Sequence, residues 1–324
     1  MLPASTVCLD DYKQCKHAFS DFRSDIVYIE HLRIPVGAGA LHVERVGRGG
    51  PPVVLLHGFG TCAFLWRGVA PRLAYAGFTA LSFDLMGYGE SDRPEDSGFG
   101  VVAQAEYLDR ALTALRLPRA VIVAQDIGAL VGVQLAARRP ERVERLLLIN
   151  PTEPDDLPGA SIRVLQRAAA RISLGSHGMF GAGQVLAPFL RESVADPALM
   201  SDLLVGRYTA PYVGDEGVSH LLQLARSLEL EEDEQLQLGS VRAPVMIALG
   251  ELDIAKKEEP AITMATELAR TGASVIEEII PGAGYLPAED QPVRLAEMIR
   301  DWINVSAPER VAHTSQAGEV SPES

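Results

Sequence analysis

VIVAQDIGALVGV, residues 121–133, changes character at its centre. The apolar, β-prone run Ala120–Ala124 ends at Gln125-Asp126-Ile127-Gly128 and passes directly into the helix-forming segment Ala129–Arg139. That order reads as strand, sharp turn, helix. Such a turn brings backbone and flanking side chains close together, so small residues are needed two before and two after the central one. Ala124 and Gly128 supply them. Asp126 then stands at the top of a sheet beside a helix N-terminus, where backbone N–H groups and the helix dipole favour an anion. The same residues also suit an ordinary helix N-cap, for which Asp is preferred, so this stretch alone does not choose between the two readings.

The surrounding chain shifts the balance. Pro51–Leu56 reads as a buried strand running into His57-Gly58-Phe59-Gly60, and Phe78–Asp84 as another running into Leu85-Met86-Gly87-Tyr88-Gly89-Glu90-Ser91-Asp92. With HGFG, DLMGYGESD and a small-X-Asp-X-small turn in this order and spacing, the chain resembles the α/β-hydrolase superfamily over roughly residues 26–305. The resemblance implies an α/β fold with a mostly parallel central sheet flanked by helices and an inserted helical lid, and it makes the turn at Asp126 a nucleophile elbow. The expected organisation is an N-terminal extension over 1–24, a core over 25–152 and 238–305, a lid over 153–237 and a disordered tail over 306–324.

Composition agrees with one such domain. The 324 residues are 47% hydrophobic and 22% charged, enough to bury a full core. A net charge of -14 argues against nucleic acid or an anionic membrane as partner, and the acidic run 229–234 reads as solvated surface. The three cysteines, Cys8, Cys15 and Cys62, lack metal-ligand spacing and are odd in number, which fits reduced thiols in the cytoplasm. Neither a secretory signal nor a run of about twenty uncharged apolar residues is visible. No cofactor or metal is expected, the partner is a small-molecule substrate, and a homo-oligomer is left open.

Strands near Ile26–Ile34 and Leu41–Val46 form an expected hairpin around Gly37 and Gly39, and Val102–Leu117 carries helical spacing until Pro118. Leu146–Ile149 and Val245–Leu249 are short apolar runs suited to central strands. Between them the pattern is helical and loop-like, with Gly175, Gly178, Gly181 and Gly183 clustered.

The resemblance also assigns roles. Asp253, after the strand Val245–Leu249, takes the place of the triad acid. Backbone N–H groups of Phe59 and Ile127 take the place of an oxyanion hole. His57 supports its loop. An aspartate at the elbow resembles haloalkane dehalogenases, fluoroacetate dehalogenases and epoxide hydrolases, whose carboxylate displaces a leaving group at saturated carbon and leaves an alkyl ester. A histidine on the loop after the last strand then activates water. Here that place holds Tyr285, in Gly284-Tyr285-Leu286. A tyrosine of ordinary pKa ~10 is only ~0.1% ionised at neutrality, so using it as a base costs roughly 4 kcal/mol.

Substrate features differ as well. Ile127 and Phe59 stand where dehalogenases carry halide-binding side chains, which disfavours haloalkanes. Tyr208 and Tyr212 are candidates for the lid tyrosines that protonate an epoxide, and His177 and His220 for a replacement base or substrate contact from the lid. Three readings stand: an epoxide-hydrolase-like enzyme acting on a largely apolar small molecule through Asp126; a non-hydrolytic cyclase, lyase or C–C bond-forming enzyme using Asp126 and Tyr285 as an acid-base pair; and a binding protein that has lost catalysis.

Overall fold

Alternating apolar residues along buried strands set the two faces of the sheet. The computed structural model describes residues 28–37, 39–95, 97–157, 160–167, 181–228, 238–253, 263–270 and 272–304. Among them eight strands, β1 (Ile29–Pro35), β2 (Ala40–Val46), β3 (Pro52–Leu56), β4 (Thr79–Phe83), β5 (Ala120–Gln125), β6 (Val143–Ile149), β7 (Val245–Gly250) and β8 (Val275–Ile280), form one sheet in the order β1-β2-β4-β3-β5-β6-β7-β8. The β1–β2 and β2–β4 pairs are antiparallel and every pair from β4 through β8 is parallel. This is the mostly parallel α/β-hydrolase sheet that the motif order implied.

The hairpin turns through Gly37, whose φ of 96° is open to glycine, with Val36 N–H bonded to Gly39 O at 2.8 Å. Residues 26 and 27 of the expected first strand, both termini, the acidic run 229–234 and His177 lie outside the described residues.

Both faces of the parallel strands are covered, as βαβ crossovers require. Helices α1 (Ala70–Tyr75), α2 (Val101–Ala114) and α3 (Ile127–Arg138) precede the insertion between β6 and β7. The insertion carries α4 (Ala160–Gln166), α5 (Gly183–Glu192), α6 (Asp202–Thr209) and α7 (Gly214–Arg226). Then come α8 (Thr263–Arg270), α9 (Pro287–Asp290) and α10 (Pro292–Asn304). Val54, Leu56, Ile122, Ala124 and Leu146 pack beneath α2 and α3, whereas Val53, Leu55, Val121, Val123 and Leu147 pack beneath α1 and α10. Helix α2 stops at Ala114, short of the expected Leu117, because Arg116 takes a φ of 57° and turns the chain toward Pro118. None of the helices among the described residues is long and apolar enough to cross a membrane.

Strand β5 lies in the middle of the sheet with all six residues buried, and α3 starts one residue after Asp126. Asp126 has φ 54° and ψ -123°, a conformation costing an L-residue on the order of 1–3 kcal/mol. Burying Val121, Ile122 and Val123 contributes roughly 1.5–3 kcal/mol each, so the flanking strand easily holds the turn in place. The demand for small neighbours has a concrete cause. A Cβ added at Gly128 would lie 2.4 Å from the His57 carbonyl oxygen, and one at Gly58 would lie 2.6 Å from the Asp126 carboxylate.

Gly128→Ala should therefore destabilise the fold by about 2–3 kcal/mol, because the obstacle is backbone in a central strand's exit loop and has no room to give. Denaturant unfolding measures this; a loss below about 0.5 kcal/mol would show that the turn can relax.

Candidate active site

Parallel strands place their carboxyl ends at one edge of the sheet, and ligands bind there where the strand order reverses. In this chain the order reverses between β3 and β5. The segments leaving β3, β5, β6, β7 and β8 carry Phe59, Asp126, Thr152, Asp253 and Tyr285 respectively.

Asp126 is buried and does not cap α3 with its side chain, so the N-cap reading of the sequence fails. Its Oδ2 accepts a hydrogen bond from the Phe59 backbone N–H at 2.8 Å, and its Oδ1 accepts one from the Thr152 hydroxyl. Ile127 is buried directly behind it. Tyr285 stands close enough to Asp126 for the two to interact electrostatically. Burial, followed by the charge of Asp126 and then of Asp253, pushes the phenol well above its ordinary value of 10. Tyr285 is therefore even less able to serve as a base than a tyrosine in water. Asp253 is buried at the end of β7, where its charge acts on Tyr285.

The loop bearing Tyr285 is held by its main chain. Gln125 Nε2 donates to the Tyr285 carbonyl at 2.9 Å, and Asn150 Nδ2 donates to the same carbonyl at 3.0 Å and to that of Gly284 at 3.1 Å. Asn150 Oδ1 in turn accepts from Gly250 N–H at 3.0 Å. Thus residues at the ends of β5 and β6 fix residue 285 by its carbonyl, and the end of β7 fixes Asn150. Sequence reasoning missed Thr152, Asn150 and Gln125. The available signal was their position immediately at the carboxyl ends of strands β5 and β6.

Tyr88, inside the DLMGYGESD motif, also went without a role. Its ring packs edge-on to His57 and Phe59, with centroids 5.2 and 6.3 Å apart. Its hydroxyl is buried without a hydrogen-bond partner among the described residues, and burial raises its pKa with contributions from Tyr212 and Asp126.

The remaining sequence candidates separate. His57 accepts from Leu85 N–H at Nε2 (3.1 Å) and meets the Gly58 carbonyl at Nδ1 (2.8 Å), so it is a neutral imidazole bracing the loop. His220, on α7, directs Nε2 at the Gly87 carbonyl at 2.6 Å and packs edge-on against Phe99. The Nε2 of this candidate base is thus engaged with the loop 84–92. Tyr208 is likewise engaged: its hydroxyl donates to Glu289, which Arg67 clamps with two bonds of 2.6 Å, and this cluster joins α6 to α9. Tyr212 is buried with the Arg93 guanidinium 5.9 Å above its ring.

Burial lowers the pKa of both His57 and His220 below the ordinary 6.5. The unfolded chain then takes up protons that the folded chain refuses. Their contribution to stability is complete above about pH 6.5 and is lost as pH falls toward the lowered folded values. His220→Gln should accordingly flatten the drop in unfolding free energy between pH 7.5 and 5.5; parallel curves for the two proteins would exclude this role.

Comparison with known proteins matches this geometry. The family model described as alpha/beta hydrolase fold matches residues 51–180. The crystal structure of wild-type Cfl2 from Burkholderia cenocepacia superposes with a TM-score of 0.73 at 30% identity, covering 85% of this chain and 95% of that one. A haloalkane dehalogenase of Mesorhizobium japonicum is 28% identical over 289 residues, 84% of this chain and 90% of its own. The epoxide hydrolase CorEH shares the fold, with a TM-score of 0.67 at 19% identity over 85% of this chain and 99% of that one. The chain belongs to the α/β-hydrolase superfamily, in the branch that holds the haloalkane dehalogenases and epoxide hydrolases.

Proposed function

We propose that this α/β-hydrolase-fold enzyme acts on a largely apolar small molecule through Asp126 and Tyr285 as a base and acid pair, without hydrolytic turnover through a covalent ester. The observation that carries the reading is Tyr285 itself, fixed by Gln125 and Asn150 on the loop after β8 where a water-activating base would have to stand, its phenol pushed above the ordinary value by burial and by the charge of Asp126. In the proposed cycle Asp126 takes a proton from an acidic C–H or O–H of the substrate. Tyr285 donates its hydrogen bond, and then its proton, to the oxygen that gains negative charge. The proton on Asp126 afterwards returns to the tyrosine, so the pair ends as it began. The insertion over 153–237 serves as the lid that excludes water, and Tyr88 offers its unpartnered hydroxyl to a polar atom of the substrate.

Removing the base removes a competing reaction. At pKa ~10 a tyrosine base already costs roughly 4 kcal/mol near neutrality, and the upward shift at Tyr285 adds to that, so water in the site goes unactivated. His220, the lid histidine among the described residues, is committed to Gly87 and does not restore the function.

A second reading is favoured by the strained turn and the Phe59 bond. In it Asp126 is a nucleophile whose Oδ2 rests in an oxyanion hole while the other oxygen attacks carbon. Opening an epoxide this way forms an aspartyl ester and a hydroxyl that takes the Tyr285 proton, and the cycle stops there.

Intact-protein mass spectrometry after incubation with styrene oxide separates the two. The expected result is no adduct, together with deuterium uptake from D2O into a panel of apolar ketones that Asp126→Asn and Tyr285→Phe each reduce by about 100-fold or more. A stable adduct on Asp126 would overturn the acid-base reading in favour of arrested nucleophilic attack. Its release in Tyr285→His would then identify the missing base as the block.

A further inference from the structure

We infer that His31, His42 and Glu44 form a binding site for a divalent first-row transition-metal ion that clips β1 to β2. Strand pairing brings the three together. In the antiparallel register His31 lies opposite Glu44, and His42 is two residues from Glu44 on the same strand, so all three side chains stand on one face. One ligand atom from each lies within 4.8 Å of the others. Among the described residues no other group of three His, Cys, Asp or Glu side chains meets that condition.

The geometry fits chelation in detail. His31 Nδ1 and His42 Nε2 are 2.9 Å apart, with the rings stacked at 16°. Two nitrogens at that 2.9 Å separation subtend about 90° at an ion roughly 2.05 Å from each, the angle between neighbouring ligands of an octahedral or square-planar ion. A tetrahedral zinc ion needs the pair about 0.4 Å wider, a shift the exposed His31 can make.

Behind His42, its Nδ1 meets Asp84 Oδ2 at 2.8 Å. Asp84 is itself held by the Ala63 N–H at 2.6 Å and the Glu90 N–H at 2.9 Å. A carboxylate on the far nitrogen fixes the tautomer that leaves Nε2 with its lone pair facing the ion, the usual support for a metal-bound histidine. In the metal-free protein the nitrogens of His31 and His42 share one proton. The ion takes the place of that proton between the two rings. Glu90, whose Oε2 is 3.9 Å from His42 Nε2 and whose side chain is largely exposed, is placed to become a fourth ligand. The charge of Arg207 reaches Glu44 and opposes the ion, against the three carboxylates Glu44, Asp84 and Glu90 that favour it.

Titration of the untagged full-length protein with NiCl2 and ZnCl2, after EDTA stripping and dialysis, tests the site. Calorimetry should give one ion per chain, with Tm rising several degrees at saturation. His31→Ala, a change at an exposed position that leaves the metal-free Tm in place, should weaken binding by about tenfold or more, and Glu44→Gln should do the same. Absence of binding with millimolar ion would overturn the inference. So would one-to-one binding unaffected by either substitution, which would assign the ion to histidines elsewhere in the chain.

Discussion

Everything at the sheet's carboxyl edge depends on one backbone torsion: a non-glycine residue forced to a positive φ between a fully buried strand and the helix that follows it. The turn lifts the Asp126 carboxylate into the path of the Phe59 N–H. It can do so only because Gly58 and Gly128 allow two backbones to pass within contact distance. The strain is local, and the restoring force is distributed over the apolar side chains of two packed faces. This is why a site of a few polar groups can keep its shape without a metal or a disulfide in the turn.

The electrostatic character of that site is set by what faces the carboxylate. A histidine in the same place would bring a group able to exchange protons near neutrality. Tyr285 brings a hydroxyl whose proton is made harder to remove by burial and by two aspartates, Asp126 and Asp253. The aspartate thereby keeps its ability to accept, while its neighbour is limited to donating.

Backbone demands are written in single residues, and those were legible. The small residues at 124 and 128, the glycines of HGFG and the alternation of buried strands gave the sheet, the elbow and the Phe59 contact. Contacts created by topology left no such mark. Thr152 meets Asp126 across 26 residues and Gln125 meets Tyr285 across 160, and nothing at either position distinguishes them from ordinary polar residues at strand ends. The insertion was the hardest to read, because helical spacing shows that His220 and Tyr208 lie on helices without showing what those helices face. Both turned out to be joined to the core, one through Gly87 and the other through Glu289 and Arg67.

Gln125 and Asn150 grip residue 285 by its carbonyl oxygen, an atom every amino acid possesses. These bonds do not read the side chain, which is met separately by the Phe189 ring, edge-on with centroids 6.1 Å apart. In evolutionary terms the position is a socket: the bonds that fix its backbone survive any change of the side chain.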